Sequence, residues 1–483
     1  MFGRSLYIFR RDLRIQDNTA LIECFQKSNK ILACFILDPV QVGSENKYKS
    51  NNAIQFMIES LKDLKYQLGG KLNIYYGRSI DIINNLVKKY KINAVWCNQD
   101  YTPFSRERDR KIKLVAKKYG AEFFSYEDLL LAPLLTDPVL TGGGKFYQKF
   151  TPFHSAALKR TVKPPTRINV AKLVEKCMKD LSENTIKKRT IKKILGKKNK
   201  NIAVHGGRQN AKRILIELQG KHTHLDGYGL KRNSLTFKTS MLSAHNKFGT
   251  VSIREVYYTM KKSKGLSSSD RAILIKQLYW RDFYTYIVWF NPQVLAGPVR
   301  EFHQKYHNIK WLDIKKDNLG RKYWAAWTEG KTGYPIVDAC MNQLNTTGYM
   351  HNRGRMIVSN FLIHDLGINW EHGERYFATK LVDYDPIQNN QGWQFSSSSG
   401  ASAQDWFRIM NPWTQQQKYD PDGEYIHKWV PALAKVSGKI LFEWEKPEIH
   451  QKYRLKYPLP IINHDQARIK SLKDYRAAVS KVK

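Results

Sequence analysis

Residues 381–395 read Leu-Val-Asp-Tyr-Asp-Pro-Ile-Gln-Asn-Asn-Gln-Gly-Trp-Gln-Phe, two carboxylates two positions apart followed by an amide pair and an indole. The stretch is too polar for ordinary core and too poor in Lys and Glu for ordinary surface. Buried polar groups need partners, so the spacing predicts that Asp383, Asp385 and Asn389 touch a bound cofactor. The plainer alternative is a polar turn with a helix N-capped by Asn389 or Asn390. Gln277, Trp280, Arg281 and Tyr284 fall at i, i+3, i+4 and i+7 of a run over 272–290 that is apolar almost all round, so one buried helix presents all four on a single face. The competing reading there is a salt bridge from Arg281 to a neighbouring helix. Asn352, Arg355, Met356 and Ser359 repeat the spacing in a helix over 349–366, with Arg355 placed to pair with Asp383 or Asp385. Thr239-Ser-Met-Leu-Ser243 offers three hydroxyls where helical sequence resumes, which suits a phosphate but also any N-cap. Trp311, Trp324, Trp327, Trp370 and Trp393 are five of the chain's 12 tryptophans. Singly such indoles fill core; in a row they can pass an electron.

The elements that would hold these residues follow from pattern. With 483 residues the chain has room for two to four domains and a large core. Lys and Arg outnumber Asp and Glu by 81 to 42, a formal charge of +39, which points to a polyanion and to nucleic acid before an acidic membrane. A general lysine bias is the bland alternative. Five dispersed cysteines without C-x-x-C spacing exclude a zinc or iron-sulfur site and read as reduced core residues of an intracellular protein. Arg10, Arg11 and Arg14 precede any long apolar run, so no secretory signal is expected, and no run of 18 apolar residues spans a membrane. The expected location is the cytoplasm, or the nucleus of a eukaryote.

Over 1–130, β-rich runs at 5–9, 31–37, 72–76, 94–97 and 122–126 alternate with helical segments such as 52–68 and 79–90. That period predicts a five-stranded, parallel, doubly wound sheet. No G-x-G-x-x-G follows the first strand, and Gly142-Gly-Gly-Lys145 leads to Phe146 and not Ser or Thr, so it reads as a loop and not a P-loop. Residues 131–205 are punctuated by Pro133, Pro138, Pro152, Pro164 and Pro165, and eight Lys or Arg crowd into 187–200. This predicts a long surface-hugging linker with a charged tip, the run being a solvated loop, a DNA contact or a nuclear address. From 206 to 483 helical patterns dominate, closing with a helix over 465–479.

These residues stand in a recognisable order: Phe9-Arg-Arg-Asp-Leu-Arg14, Asp17-Asn18, Phe150-Thr-Pro-Phe153, Thr239 to Ser243, Trp280-Arg-Asp-Phe-Tyr284, Glu329-Gly-Lys-Thr-Gly-Tyr-Pro335, His351-Asn-Arg-Gly-Arg-Met356, Asp383 to Trp393, Asn411-Pro412 and Tyr457-Pro-Leu-Pro460. The chain resembles the photolyase/cryptochrome flavoproteins nearly end to end, most closely the branch that repairs cyclobutane pyrimidine dimers. The resemblance implies an N-terminal α/β domain, a linker and a C-terminal all-helical domain holding FAD, acting in its reduced form on ultraviolet-damaged DNA, as a monomer. It implies that Tyr228, Thr239, Ser240, Met241, Leu242 and Ser243 hold the flavin's phosphates and ribose. Gln277, Arg281, Asn352, Arg355, Asp383, Tyr384, Asp385 and Asn389 would complete the cofactor site, Asn389 facing N5. Trp280 and Met356 would pack on a flipped dimer, with Arg232, Gln277, Arg281, Tyr284, Asn352, Arg353, Phe395 and Gln415 also at the DNA. Trp393, Trp370 and Trp311 would form the photoreduction chain.

Four positions depart from the pattern. Gln277 stands where dimer photolyases commonly carry Glu, a Gln also found in (6-4) photolyases and animal cryptochromes, and Phe395 replaces a tryptophan. Asn352 and Met356 fit dimer repair, whereas (6-4) enzymes place histidines at both. Phe104-Ser105 stand where folate-binding members carry Asn-Glu, which argues against methenyltetrahydrofolate in its usual site and leaves a deazaflavin, a flavin or no antenna open. The alternatives to dimer repair are (6-4) repair, a blue-light receptor of the cryptochrome type, and a basic DNA-binding protein without a cofactor.

Overall fold

Runs of β-branched and aromatic residues become five parallel strands: β1 (Phe2–Phe9), β2 (Ser28–Leu37), β3 (Asn73–Tyr76), β4 (Ala94–Asn98) and β5 (Glu122–Tyr126). They pair in the order β3-β2-β1-β4-β5, so the winding reverses between β1 and β4. The computed structural model describes residues 1–180, 186, 188–401 and 408–480. Side chains leave the strands alternately. Leu6, Ile8, Leu32, Cys34 and Val95 pack one way, on Ile83, Leu86, Ile112 and Ala116, and Tyr7, Phe9, Ala33 and Phe35 the other, on Leu21, Cys24, Phe56 and Leu61. Both faces are thereby covered, as a doubly wound sheet requires.

The connecting segment is more ordered than a linker. It carries the helices Phe150–Ala157, Val170–Lys176 and Lys188–Leu195. Leu173, Ile194 and Leu195 sink into the core of the first half while Arg189, Lys192 and Lys193 face out, so part of the basic run is one side of an amphipathic helix and Lys197, Lys198 and Lys200 follow it as exposed residues. Lys187 lies outside the described residues. Gly142 to Gly144 form a tight turn closed by Thr141 N donating to Lys145 O at 2.8 Å, with Gly144 at φ +73°.

Beyond Tyr126 the described residues form no further strand. The chief helices are Ser268–Phe290, Trp370–Lys380, Pro386–Ser396 and His464–Ser480. The single helix expected over 349–366 is instead Asn352–Asn360 followed by a π-turn, Phe361–Asp365. His351 starts it, its Nδ1 accepting from Arg353 N at 3.0 Å. The wider turn swings His364 and Asp365 onto the last helix, where they meet Ser471 (2.9 Å) and His464 (2.5 Å). No helix of the described residues is long and apolar enough to cross a membrane.

The Phe9–Arg14 loop joins the two halves. Leu13 N donates to Phe248 O at 3.0 Å, and Arg254 pairs with Asp17 and Asp128, both at 2.9 Å. Gly249 sits at φ +62° with its Cβ position 2.1 Å from the Arg11 carbonyl oxygen, so only glycine allows the contact.

Candidate functional site

Asp385 begins the Pro386–Ser396 helix. Its Oδ1 accepts from Ile387 N (2.9 Å) and Gln388 N (3.3 Å), and Pro386 occupies the first helical position. The N-cap is therefore Asp385 and neither Asn389 nor Asn390, which lie one turn in, where Asn390 Nδ2 donates to Val294 O at 3.0 Å. The second Asp385 oxygen is held by Arg11, which also reaches Asp100 at 3.3 Å. Burial would raise Asp385, but Arg11, Lys247 and Arg281 outweigh it and hold the carboxyl below its usual range. Arg355 takes Asp383 alone, at 2.9 and 3.2 Å. Asn389 Nδ2 donates to Glu374 O at 2.9 Å, which fixes the plane of its amide.

Asp383, Asp385, Asn389, Arg355, Lys247 and Arg281 line a cavity of 560 Å³ between the helices. Of the residues singled out from sequence, Tyr228, Ser240, Leu242, Ser243, Gln277, Trp280, Arg281, Tyr284, Asn352, Arg355, Met356, Asp383, Asp385, Asn389, Trp393 and Phe395 all border it. Among the described residues Arg281 makes no salt bridge to a neighbouring helix; it donates to the carbonyls of Leu129 (2.5 Å) and Asn246 (3.3 Å), and burial beside Arg11 lowers its pKa. Gln277 is exposed at the rim and donates to Ile273 O of its own helix at 3.0 Å. Asn352 stands exposed nearby, its Nδ2 3.8 Å from Met356 Sδ.

Other candidates lie elsewhere. The Thr239 hydroxyl bonds Tyr349 Oη at 3.0 Å, and Met241, at φ +54°, packs against the first core. Tyr384 borders not the first cavity but a second one. Arg232, Arg353 and Gln415 do not border the first cavity; Arg353 Nη2 donates to Asn233 Oδ1 at 2.8 Å and covers the Tyr419 ring. Trp393 meets Phe377 (5.0 Å between centroids) and Trp327 (6.2 Å), and Trp327 stacks on Trp324 at 5.6 Å. Trp370 is buried, its Nε1 donating to Glu301 Oε1 at 3.3 Å, while Trp311 is half-buried beside Tyr475.

Sequence reasoning missed Arg11, Asn246, Lys247 and Glu374. No local spacing ties Arg11 to a carboxylate 374 positions away. Burial, and Arg11 after it, bring the Lys247 amine down to about 8. Arg11, Arg281 and Lys247 thus face two carboxylates, Asp100 and Asp385, an excess of positive charge that suits phosphate. Asn246 Oδ1 is buried at the cavity without a partner, and the Ser240 and Ser243 hydroxyls border the same wall. The volume and this donor set fit a flavin dinucleotide. Among the described residues no His, Cys, Asp or Glu cluster could hold a metal.

The second cavity, of 530 Å³, opens at the carboxyl ends of β1, β2 and β4, at the reversal of the winding, where open α/β sheets bind ligands. Phe104, Ser105 and Tyr384 border it, and so do Arg10 and Arg108, each with a buried, unpartnered Nη2. Lys247 borders both cavities.

A parallel sheet joined to a helical half that encloses a phosphate-ready cavity defines a two-domain protein built to hold a nucleotide-type cofactor. A family model described as DNA photolyase matches residues 5–169, and one described as the FAD binding domain of DNA photolyase matches residues 274–477. Proteins named deoxyribodipyrimidine photo-lyase are similar over nearly the whole chain: that of Salmonella typhimurium is 34% identical, covering 97% of this chain and 98% of its own length, and that of Escherichia coli 32%, covering 97% and 98%. Among solved structures, an archaeal photolyase from Sulfolobus tokodaii with two FAD molecules, one implicated as a light-harvesting cofactor, has 35% identity, a TM-score of 0.83 and coverage of 98% and 100%. A class III photolyase from Agrobacterium tumefaciens has 29% identity, a TM-score of 0.88 and coverage of 99% and 98%. The chain belongs to the DNA photolyase family, and its helical half is that family's FAD-binding domain.

Proposed function

We propose that this protein is a light-driven repair enzyme that splits cyclobutane pyrimidine dimers in DNA, with FAD in the 560 Å³ cavity. The observation that carries this reading is the convergence on one cavity of a cofactor wall (Asp383, Asp385, Asn389, Trp393) and a base-stacking rim (Trp280, Asn352, Met356). FAD held there in its reduced form would supply the light-driven one-electron chemistry that splits the dimer.

The chain's own residues bind and orient. Arg281, Lys247 and the Ser240 and Ser243 hydroxyls take the phosphates and ribose, while Asp383, its charge offset by Arg355, and Asp385 hold the polar edge of the ring system. Asn389, with an amide hydrogen fixed on Glu374, leaves its oxygen to accept a proton-bearing nitrogen. A basic face gathers the duplex through phosphates. The poorly stacked lesion flips out at a cost of a few kcal/mol and lies on Trp280, with Gln277, Asn352, Met356, Tyr284 and Phe395 about it. Arg232, Arg353 and Gln415 hold the strand, and Trp393, Trp370 and Trp311 relay electrons for photoreduction. Among the described residues no histidine borders the cavity, and Asn352 and Met356 stand at the rim instead, which favours dimers over (6-4) photoproducts.

The second cavity would hold a flavin-type antenna, with the Nη2 groups of Arg10 and Arg108, unpartnered among the described residues, to take its phosphate; the Sulfolobus tokodaii photolyase with two FAD molecules and an implied light-harvesting cofactor supports this choice. The chain divides into an antenna-type domain (1–130), a connection (131–205) and a helical domain (206–483). It works inside the cell as a monomer. The test is repair of a thymine-dimer oligonucleotide by the reduced protein under blue light: dimer reversal in light but not in darkness is expected, and none in either refutes the reading.

A further inference from the structure

The most closely stacked ring pair bordering the main cavity joins two distant parts of the chain. Phe150 and Trp280 lie with centroids 3.7 Å apart and planes 7° from parallel. Trp280, half-buried, borders the cavity, whereas Phe150 is 4% exposed and opens the Phe150–Ala157 helix of the connecting segment. His154 continues the column at 5.4 Å and 21°, and Lys276 Nζ stands 5.7 Å from the phenyl centroid. Phe283 meets both rings edge-on, at 5.7 and 5.8 Å. Tyr284, also at the cavity, meets the indole at 5.5 Å and 48°, so Phe150 and Phe283 hold one face and one edge of a ring that borders the cavity.

We propose that Phe150 is a positioning residue for lesion recognition: it backs Trp280 as a preformed plate, so that the dimer stacks on an indole already held in place. The inference rests on the DNA-repair reading above. A side chain ordered only on binding subtracts from affinity, and one held beforehand does not. Phe395 also borders the cavity, and its one ring offers less stacking area than the indole of Trp280. The proline-punctuated connection thereby contributes to damage recognition through a residue that need not touch DNA.

The test measures affinity in darkness, per flavin-containing protein, for dimer-containing and undamaged duplex of one sequence. Phe150→Leu should weaken dimer binding about three- to tenfold, the value of one aromatic pair, with undamaged binding and flavin content unchanged. Phe150→Tyr, which keeps the π-face, should restore the dimer preference. Phe150→Leu added to Trp280→Ala should cost nothing further, because the plate it backs is gone. Where Phe150→Leu sheds flavin, Phe150→Met, of similar volume but without a π-face, carries the same expectation. Dimer preference that survives loss of the ring, equal loss on both duplexes, or full additivity with Trp280→Ala overturns this inference alone. Absence of any dimer preference in the unaltered protein overturns the function reading with it.

Discussion

Asp385 shows how one side chain can serve fold and site together, capping a helix with one oxygen and closing an interdomain ion pair with the other. Arg11→Met removes the guanidinium paired to two buried carboxylates and leaves Asp385 to Lys247 and Arg281 and Asp100 to Arg108 and Lys247, so it should destabilise the protein by about 3 kcal/mol and speed flavin loss, read by denaturant unfolding and by flavin dissociation; unchanged stability would remove Arg11 from the site. Asp282 offers a pH test. Burial lifts its pKa to about 7, although Leu131 N and Ala132 N both donate to it at 2.9 Å. Between roughly pH 4, the unfolded carboxyl value, and 7 the unfolded chain binds fewer protons than the folded one, so stability falls as pH rises. Asp282→Asn should flatten that slope in unfolding measurements across the range. At this scale the sequence shows types and local spacing well. Arg355 with Asp383 was legible because a buried guanidinium and carboxylate seek each other. Arg11 was not, because its partner is set by the docking of two domains.

Elements were legible where one period persists. All five strands lie where alternation places them, and the Ser268–Phe290 helix carries its four-residue stripe into the cavity. The π-turn at Phe361–Asp365 escaped notice because it answers to the last helix, through His464 and Ser471, and not to its own sequence. The connecting helices escaped because prolines and lysines mask three short apolar faces. The Trp370–Lys380 helix depends on a missing side chain: a Cβ on Gly373 would come within 2.1 Å of the Trp393 ring. Gly373→Ala should therefore cost about 1–3 kcal/mol and displace Trp393 from the cavity wall, lowering both the melting temperature and flavin content; retention of both would mean the wall is softer than its packing indicates.

Across the whole molecule the net charge of +39 and the two cavities sharing Lys247 set the behaviour. Binding to any duplex should weaken linearly on logarithmic axes as salt rises, by about 0.9 per phosphate contact. The ratio of damaged to undamaged affinity should stay nearly constant, since stacking on Trp280 carries no charge; a ratio that collapses with salt would assign discrimination to the lysines. The two-part architecture was visible in the change from β-α alternation to helix alone, but the welding of the halves was not, because it rests on contacts between residues hundreds of positions apart.

The central claim is that a flavin occupies the cavity bordered by Asp383, Asp385 and Asn389, and the most direct measurement is the flavin stoichiometry of purified protein and of an Asp383→Ala, Asn389→Ala variant, read from absorbance after denaturing release. One FAD per chain at that site in the unaltered protein, lost from the variant while the fold is kept, is the predicted result. A colourless protein that takes up no FAD on reconstitution, or a variant that keeps its full flavin at both sites, would contradict it.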